Sequence, residues 1–505
     1  MQLKIYNTLS REKELFVPLM EDSNYKWPKK DFVWLYSCGP TVYRESHIGN
    51  MRAYVCRDVL RNALENVLWY KVTSVINMTD VWHLTSDADE WEDKMEKWAK
   101  RDNMTVWELA DKYITSFKRN LHMLNIDEYK ITCRATDHIK EQIVMIQQLE
   151  EKWYIYLIPN DGVYMDTSKI KDYGYLAKLD IAGLQQWARI ENDNKKNKTD
   201  FGLRKFSPKN EHRQMERDSP WGRWFPGRHI ECSAMATKYL GEQFDIHTWW
   251  VDHIPVHHVN EIAQSECALG THPRVKYWMH NQFLNLGWKK IAKSAWCAFG
   301  DWILTIDVLV KEGFNPLDFR YLCLTAHYRS FLDFNPELLQ TAANSRNNLI
   351  KKMQKLFDQH TKIIVDKSII VPYEKIKVEI ESKFVWDALE DMMTALMDDL
   401  NTPQVLAILN QSITAVDKME EVDKKDLFVA FYRLEKNLLK IWLFDRIGQE
   451  VETVEIPDDV KQLADQRLEA KQAKDYAHAD EIRKQILDKW REVKDTKEWY
   501  EVSKI

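Results

Sequence analysis

Glycine is scarce in this chain. At the usual share of about 7%, 505 residues would include roughly 35 glycines, yet there are 14, beside 21 tryptophans. Long apolar runs are missing too. Nothing approaches the ~18 residues that a bilayer-spanning helix needs, which argues against a helical membrane protein. The opening MQLKIYNTLSREKE lacks the apolar core of a secretory signal, so no export is implied. The seven cysteines, Cys38, Cys56, Cys133, Cys232, Cys267, Cys297 and Cys323, form no C-x-x-C pair and are odd in number. A disulfide framework is therefore not expected, and a reducing, cytoplasmic setting is. A net charge of -6 leaves no global nucleic-acid footprint; any RNA contact must come from local basic faces.

What is present begins with a βαβ pattern. DFVWLYSC is an apolar run of strand length, HIGNMRAYVCRDVLRNALENV has helical periodicity, and YKVTSVINMTD is β-branched and alternating. Such a unit implies a parallel sheet with ligands at the carboxyl ends of its strands. Residues 131–221 are broken and polar, including ENDNKKNKTD, and read as a solvated insertion. HIECSAMA and FDIHTWW read as a resumption of the sheet, which places both Cys38 and Cys232 at strand ends. Beyond 335 the periodicity is helical, interrupted by VDKSIIVPYEK. The final VKQLADQRLEAKQAKDYAHADEIRKQILDKW alternates charges at helical spacing and reads, on that pattern alone, as a solvated helix pair.

In HTWWVDHIPVHHVNE, His257 and Glu261 are i, i+4 and His258 and Glu261 are i, i+3. Either pair can share a helical face and suit a metal, while a capping or surface role is equally open from spacing alone. Thiolate, imidazole and carboxylate are all zinc ligands, but distant single cysteines are commonly just small buried hydrophobes.

The segment SCGPTVYRESHIGN, a strand end followed by His47-Ile48-Gly49-Asn50 at a helix start, resembles the HIGH motif of class I aminoacyl-tRNA synthetases. A small residue at Gly49 admits a nucleotide, and His47 and Asn50 sit where phosphate oxygens meet a helix N-terminus. With CGPTVY, NMTDV, SPWGR, PGRHIECSAMA, DHIPVHHVNEIAQSE, YWMH, AHYRS and DDLNTP in order, the chain resembles the cysteinyl-tRNA synthetase family over nearly its whole length. The resemblance implies an α/β fold: a Rossmann-like class I synthetase catalytic domain (1–130 and 222–330) with a connective insertion (131–221). An α-helical bundle (331–456) that binds tRNA and a small anticodon-binding region (457–505) would follow. It implies one Zn2+ per chain on Cys38, Cys232, His257 and Glu261, and cysteine contacts from Gly39, Thr41 and Arg228. ATP, as a substrate with Mg2+, would lie on His47, Gly49, Asn50, Lys290 and Lys293; His47, Asn50 and the two lysines are the implied catalytic groups. The lysines come from KIAKS, the counterpart of the family's K-M-S-K-S. The implied partners are tRNA(Cys) and L-cysteine, with no membrane, and the chain is read as a monomer.

Several departures share a form. Trp249 and Trp250, Trp224 in GRWFPG, and Trp490 and Trp499 stand where the family has glycine, while Arg228, and by the same pattern Arg204 and Arg217, stand where it has tryptophan. Taken literally, an indole at Trp249 or Trp250 blocks the nucleotide. A lineage that reads a stop codon as glycine and some arginine codons as tryptophan explains the glycine deficit and the tryptophan surplus together. SAWCAFGDWILTID, after Ser294, is longer than the family's loop. Two other readings compete: a ligase joining cysteine to an amino sugar, against which the 457–505 region argues, and a non-catalytic RNA-binding relative.

Overall fold

The amphipathic opening folds as a hairpin, β1 (Lys4–Asn7) antiparallel to β2 (Glu12–Leu15). The expected βαβ unit follows. β3 (Phe32–Ser37) is buried from Val33 onward, as a strand covered on both faces must be. α1 (Ile48–Asn62) runs on into a π turn, Ala63–Val67, and β4 (Lys71–Met78) returns parallel to β3. After α2 (Lys94–Arg101) and α3 (Val106–Met123), β5 (Ile131–Arg134) pairs parallel with β4. The computed structural model describes residues 1–24, 32–80, 94–178, 194–206, 217–286, 289–290, 304–359, 380–416 and 419–441, with parts of 458–504.

α4 (Ile139–Glu151) leads to an antiparallel sheet of β6 (Ile155–Ile158), β7 (Gly162–Met165), β8 (Phe201–Phe206) and β9 (Trp224–Pro226), in that spatial order. The parallel sheet then resumes, but not with HIECSAMA. That segment lies in a helix, α5 (Arg228–Leu240), which follows Gly227 as its N-cap. Its buried residues Ile230, Ala234 and Met235 repeat at helical spacing, and alanine has the highest helix propensity, so a short apolar run is a poor strand signal there. Cys232 therefore sits on a helix, not at a strand end. β10 (Phe244–Trp250), α6 (Val259–Leu269) and β11 (Val275–Asn281) complete the sheet, whose order is β11-β10-β3-β4-β5.

That order fixes where a ligand belongs. From β3 the chain proceeds outward through β4 and β5, then returns to the other side of β3 with β10 and β11. The crevice above the carboxyl ends of β3 and β10 is the topological switch point.

β12 (Leu284–Leu286), β13 (Lys289–Lys290) and, after α7 (Ile306–Lys311) and α8 (Pro316–Leu324), β14 (Leu332–Phe334) form a small sheet in the order β13-β12-β14. The helices α9 (Pro336–Gln359), α10 (Lys383–Met397), α11 (Thr402–Thr414) and α12 (Glu421–Leu434) follow. VDKSIIVPYEK lies outside the described residues. The chain divides into two compact units, Met1–Leu443 and Phe444–Ile505. The second contains α13 (Asp458–Gln472) and a hairpin of β15 (Arg491–Asp495) and β16 (Tyr500–Lys504). No described helix is long and apolar enough to cross a membrane.

Two chain reversals are unusual in composition. Trp153 lies just past the end of α4 at φ 64°, with its N–H bonded to Glu150 O and the next N–H, of Tyr154, to Leu149 O. This is the helix-ending geometry in which glycine is the usual residue. Trp69, just past the π turn, has φ 62°. At the ends of α5 and α6 the corresponding residues are Gly241 and Gly270, also at positive φ.

Candidate active site

Cys38 leaves the carboxyl end of β3 directly into the switch-point crevice. Opposite it, Ile254–His258 winds as a π turn into α6, which brings His257, His258 and Glu261 to one face. Cys38 Sγ lies 3.6 Å from His257 Nε2, 3.7 Å from His258 Nε2 and 3.8 Å from Glu261 Oε1. The donor atoms of all four residues fall within 4.8 Å of one another, and all four are buried. From α5, the Cys232 thiol makes hydrogen bonds to both Cys38 and His257. Three of the four residues read from the resemblance thus meet with His258 in one cluster, and the fourth, Cys232, interacts with two of them.

The set suits zinc by its chemistry. Zinc bonds of about 2.0–2.3 Å arranged tetrahedrally put neighbouring donors about 3.3–3.8 Å apart, the range of the Cys38 to His257 and Cys38 to Glu261 separations. His257 and Glu261 are closer, 2.7 Å, as an ion pair. The two imidazoles and the carboxylate are also held from behind. His229 Nδ1 meets His257 Nδ1 at 2.7 Å, His247 Nε2 meets Glu261 Oε2 at 3.1 Å, and His258 Nδ1 meets His280 Nε2 at 2.7 Å. Such outer contacts orient ligands.

The electrostatics separate the two thiols. Burial, together with Cys232, pushes the Cys38 thiol well up. The hydrogen bond from Cys38 brings Cys232 down to about 6 against the effect of burial. Burial also opposes a charged Glu261, but His247 and His257 outweigh it and hold the carboxyl well below its usual range. His257 is raised to about 10, since Glu261 outweighs its burial. The pocket therefore favours the anionic forms of Cys232 and Glu261, with the charge balanced by His257, and keeps Cys38 a neutral thiol.

The other half of the crevice is the start of α1. His47 and Asn50 form a reciprocal cap: Asn50 N donates to His47 Nδ1 at 3.2 Å, and His47 N donates to Asn50 Oδ1 at 3.3 Å. Gly49 is needed for space, because a Cβ there would meet the His47 ring at 2.8 Å. Gly39 N donates to Asn77 Oδ1 at 2.9 Å, and a Cβ on Gly39 would lie 1.5 Å from Asn77 O. Thr41 bridges to Thr79 at the mouth of the sheet.

Both indoles at the end of β10 fill this half. Trp250 packs on His47, with ring centroids 6.2 Å apart, and on Phe283; Trp249 packs on Tyr54 and His253. The Trp250 indole N–H is buried with no acceptor among the described residues. Arg228 opens α5, exposed, with its charge felt at His229 and His253. Lys290 lies on β13, whereas Lys293 and Ser294 are outside the described residues.

Reading the sequence missed the supporting histidines, His229 and His247. His229 is three residues from Cys232, a spacing that carries a signal only once that segment is recognised as a helix. His247 lies on β10, which is buried at every position, so alternation gave no signal for it.

The comparisons with known proteins agree with this geometry. Residues 25–344 match the family described as tRNA synthetases class I (C), catalytic domain. The chain is 42% identical to a cysteine–tRNA ligase of Burkholderia lata, over 99% of this chain and 96% of that protein. It is 40% identical to one of Treponema denticola, over 96% of each. In fold it resembles a Mycobacterium tuberculosis methionyl-tRNA synthetase bound by methionyl-adenylate, with TM-score 0.52 and 13% identity, covering 81% of this chain and 92% of that one. With that crevice at its switch point and relatives matched end to end, the chain belongs to the cysteine–tRNA ligase family of class I synthetases.

Proposed function

We propose that the chain activates L-cysteine with ATP and transfers it to tRNA(Cys). The cysteine carboxylate attacks the α-phosphate, pyrophosphate leaves, and the terminal ribose hydroxyl of the tRNA then displaces AMP from the carbonyl. The observation that carries this reading is the convergence of Cys38, Cys232, His257 and Glu261 beside the His47–Asn50 helix start. Zinc held by those four residues would accept the substrate's sulfur as a ligand, which serine and alanine cannot provide. Gly39 and Thr41 would position the amino acid, with Arg228 at the rim. His47, Gly49 and Asn50 would face ATP and its Mg2+, and Lys290 and Lys293 would meet the charge growing on pyrophosphate. The 331–456 helices would carry tRNA and 457–505 the anticodon contact, in a cytoplasmic monomer. Cysteine-dependent ATP–pyrophosphate exchange followed by charging of tRNA(Cys) tests the reading. Exchange with an amino sugar as acceptor, or none at all, overturns it.

We propose further that the native residue at Trp249, Trp250, Trp224, Trp69 and Trp153 is glycine, and that Arg57, Arg204 and Arg228 are native tryptophans. Four kinds of misfit support this. Trp69 and Trp153 occupy left-handed turns, where a side chain is strained. The indole N–H groups of Trp224 and Trp250 are buried without acceptors among the described residues. The buried Arg57 guanidinium has no hydrogen-bond partner on any nitrogen among the described residues and lies 3.5 Å over the Tyr129 ring. Arg204 is buried among Phe206, Trp221 and Trp224, makes one bond to Ser219 and is lowered to about 10 by burial. With glycine at 224, a tryptophan at 204 would retain a single N–H for Ser219 and take up the space beside Phe206 and Trp221. Peptide masses of the protein made in its own host decide the matter; tryptophan at 69 and 153 there sinks the proposal.

A further inference from the structure

Two blocks that the proposed chemistry leaves unused, AHYRS and DDLNTP, meet in space. Asp399 is fully buried at the junction of α10 and α11, with φ 63°, and is followed by Leu400 at φ 55°. An aspartate rarely holds that conformation without compensation, and such strain persists where the surroundings over-determine it. Here they do. The Asp399 carboxylate accepts from Tyr6 N at 2.8 Å, Tyr328 OH at 2.6 Å and Arg329 Nε at 2.7 Å. Its own N–H donates to Lys4 O at 2.9 Å, and its carbonyl meets His327 Nε2 at 2.9 Å. Strand β1, the 327–329 loop and the helical bundle are thus tied to one side chain.

The same loop is held from its other side by α1. Arg52, fully buried two residues beyond Asn50, donates from Nη2 to His327 O at 3.2 Å and Ser330 O at 2.7 Å. From Nη1 it donates to Gln282 O at 3.1 Å and Phe283 O at 2.6 Å, just before β12 of the small sheet that carries Lys290. Two charged side chains therefore grip one loop, one from the nucleotide helix and one from the bundle.

We infer that Arg52 and Asp399 are positioning residues that fix the helical bundle relative to the adenylate site, so that tRNA held on the bundle presents its 3' end to the activated cysteine. This rests on the ligase reading above. Neither residue is among those proposed above to contact cysteine, ATP or zinc. Adenylate formation needs only the crevice, whereas transfer needs crevice and bundle together, so the two half-reactions separate this role from simple support of the fold.

The test uses the full zinc-loaded chain in whichever background exchanges pyrophosphate, the encoded one or that with Trp249→Gly, Trp250→Gly and Arg228→Trp. Asp399→Asn is expected to leave exchange within about twofold and to lower kcat/KM for tRNA charging about tenfold, the factor that one lost hydrogen bond to a charged group carries. Tyr328→Phe, which removes a single bond to Asp399, should act in the same direction by about threefold and guards against a misfolded Asp399 variant. In a double-mutant cycle, Arg52→Lys and Asp399→Asn should be non-additive for charging. Parallel loss of exchange and charging, or no loss of charging in either variant, overturns the inference. Absence of exchange in every unmutated background would instead indict the ligase reading.

Discussion

The two sides of the switch-point crevice make opposite demands on the chain. The thiol side is built of donors, three of them backed by another polar group: His257 by His229, Glu261 by His247, His258 by His280. The nucleotide side is built of omissions. As proposed, it works only where a side chain is missing, as at Gly49, and it is there that Trp249 and Trp250 stand. A site made of side chains survives a change in how codons are read, provided the donors keep theirs. A site made of bare backbone does not. The difference explains how one crevice can hold a converged ligand set and an indole-filled nucleotide half.

Several experiments can break this contrast. The largest effect should come from Trp249→Gly with Trp250→Gly and Arg228→Trp: pyrophosphate exchange should rise at least about a hundredfold, since reacting groups displaced by about 1 Å already lose that much. Full activity of the chain as written would place the indoles in a working pocket and end the contrast. Next, Lys293→Ala in the exchanging background should slow single-turnover adenylate formation by about 10²–10³ while cysteine binding holds, because its charge is needed as pyrophosphate leaves. Equal losses in binding and rate would assign it a ground-state role.

On the thiol side, the purified protein should contain one zinc per chain, and Cys232→Ser or His257→Ala should remove it. His258→Ala should retain the metal; the reverse ranking of the two histidines would show that the wrong one was chosen. His229→Phe, which leaves the ligand but removes its support, should weaken zinc by about 10–100-fold in a competition titration with a chelator. The smallest effect concerns neither side directly. Trp153→Gly should raise the melting temperature by a few degrees, because a left-handed L-residue costs about 1–2 kcal/mol. Trp107→Gly, inside α3, should lower it.

How much of this was legible beforehand follows the same division. The βαβ unit from 32 to 78 could be read because its strands are buried on both faces and its helix has clear periodicity. His257 and Glu261 could be paired by their i, i+4 spacing, but Cys38 could be placed beside them only through the resemblance, since it lies on an element whose pairing no local pattern reports. HIECSAMA was misread because eight residues carry too little periodicity to separate helix from strand, so Cys232 reached its neighbours from a different element than expected. The histidine backing was invisible because it exists only in three dimensions. Asp399 was quoted within DDLNTP, but nothing in that motif announces that it would meet Tyr6 across 393 residues.

The separation of the ligand residues along the chain also matters while the protein is being made. Cys38 and Glu261 are 223 positions apart. At about 5–20 residues per second, roughly 11–45 s of translation pass between them. Throughout that interval a nascent chain displays the Cys38 thiol without the carboxylate and imidazoles that will enclose it. Ions captured before the ribosome has passed α6 meet an incomplete donor set, and a thiol waiting that long in the open is vulnerable to oxidants in a way the finished enzyme, with Cys38 buried, is not.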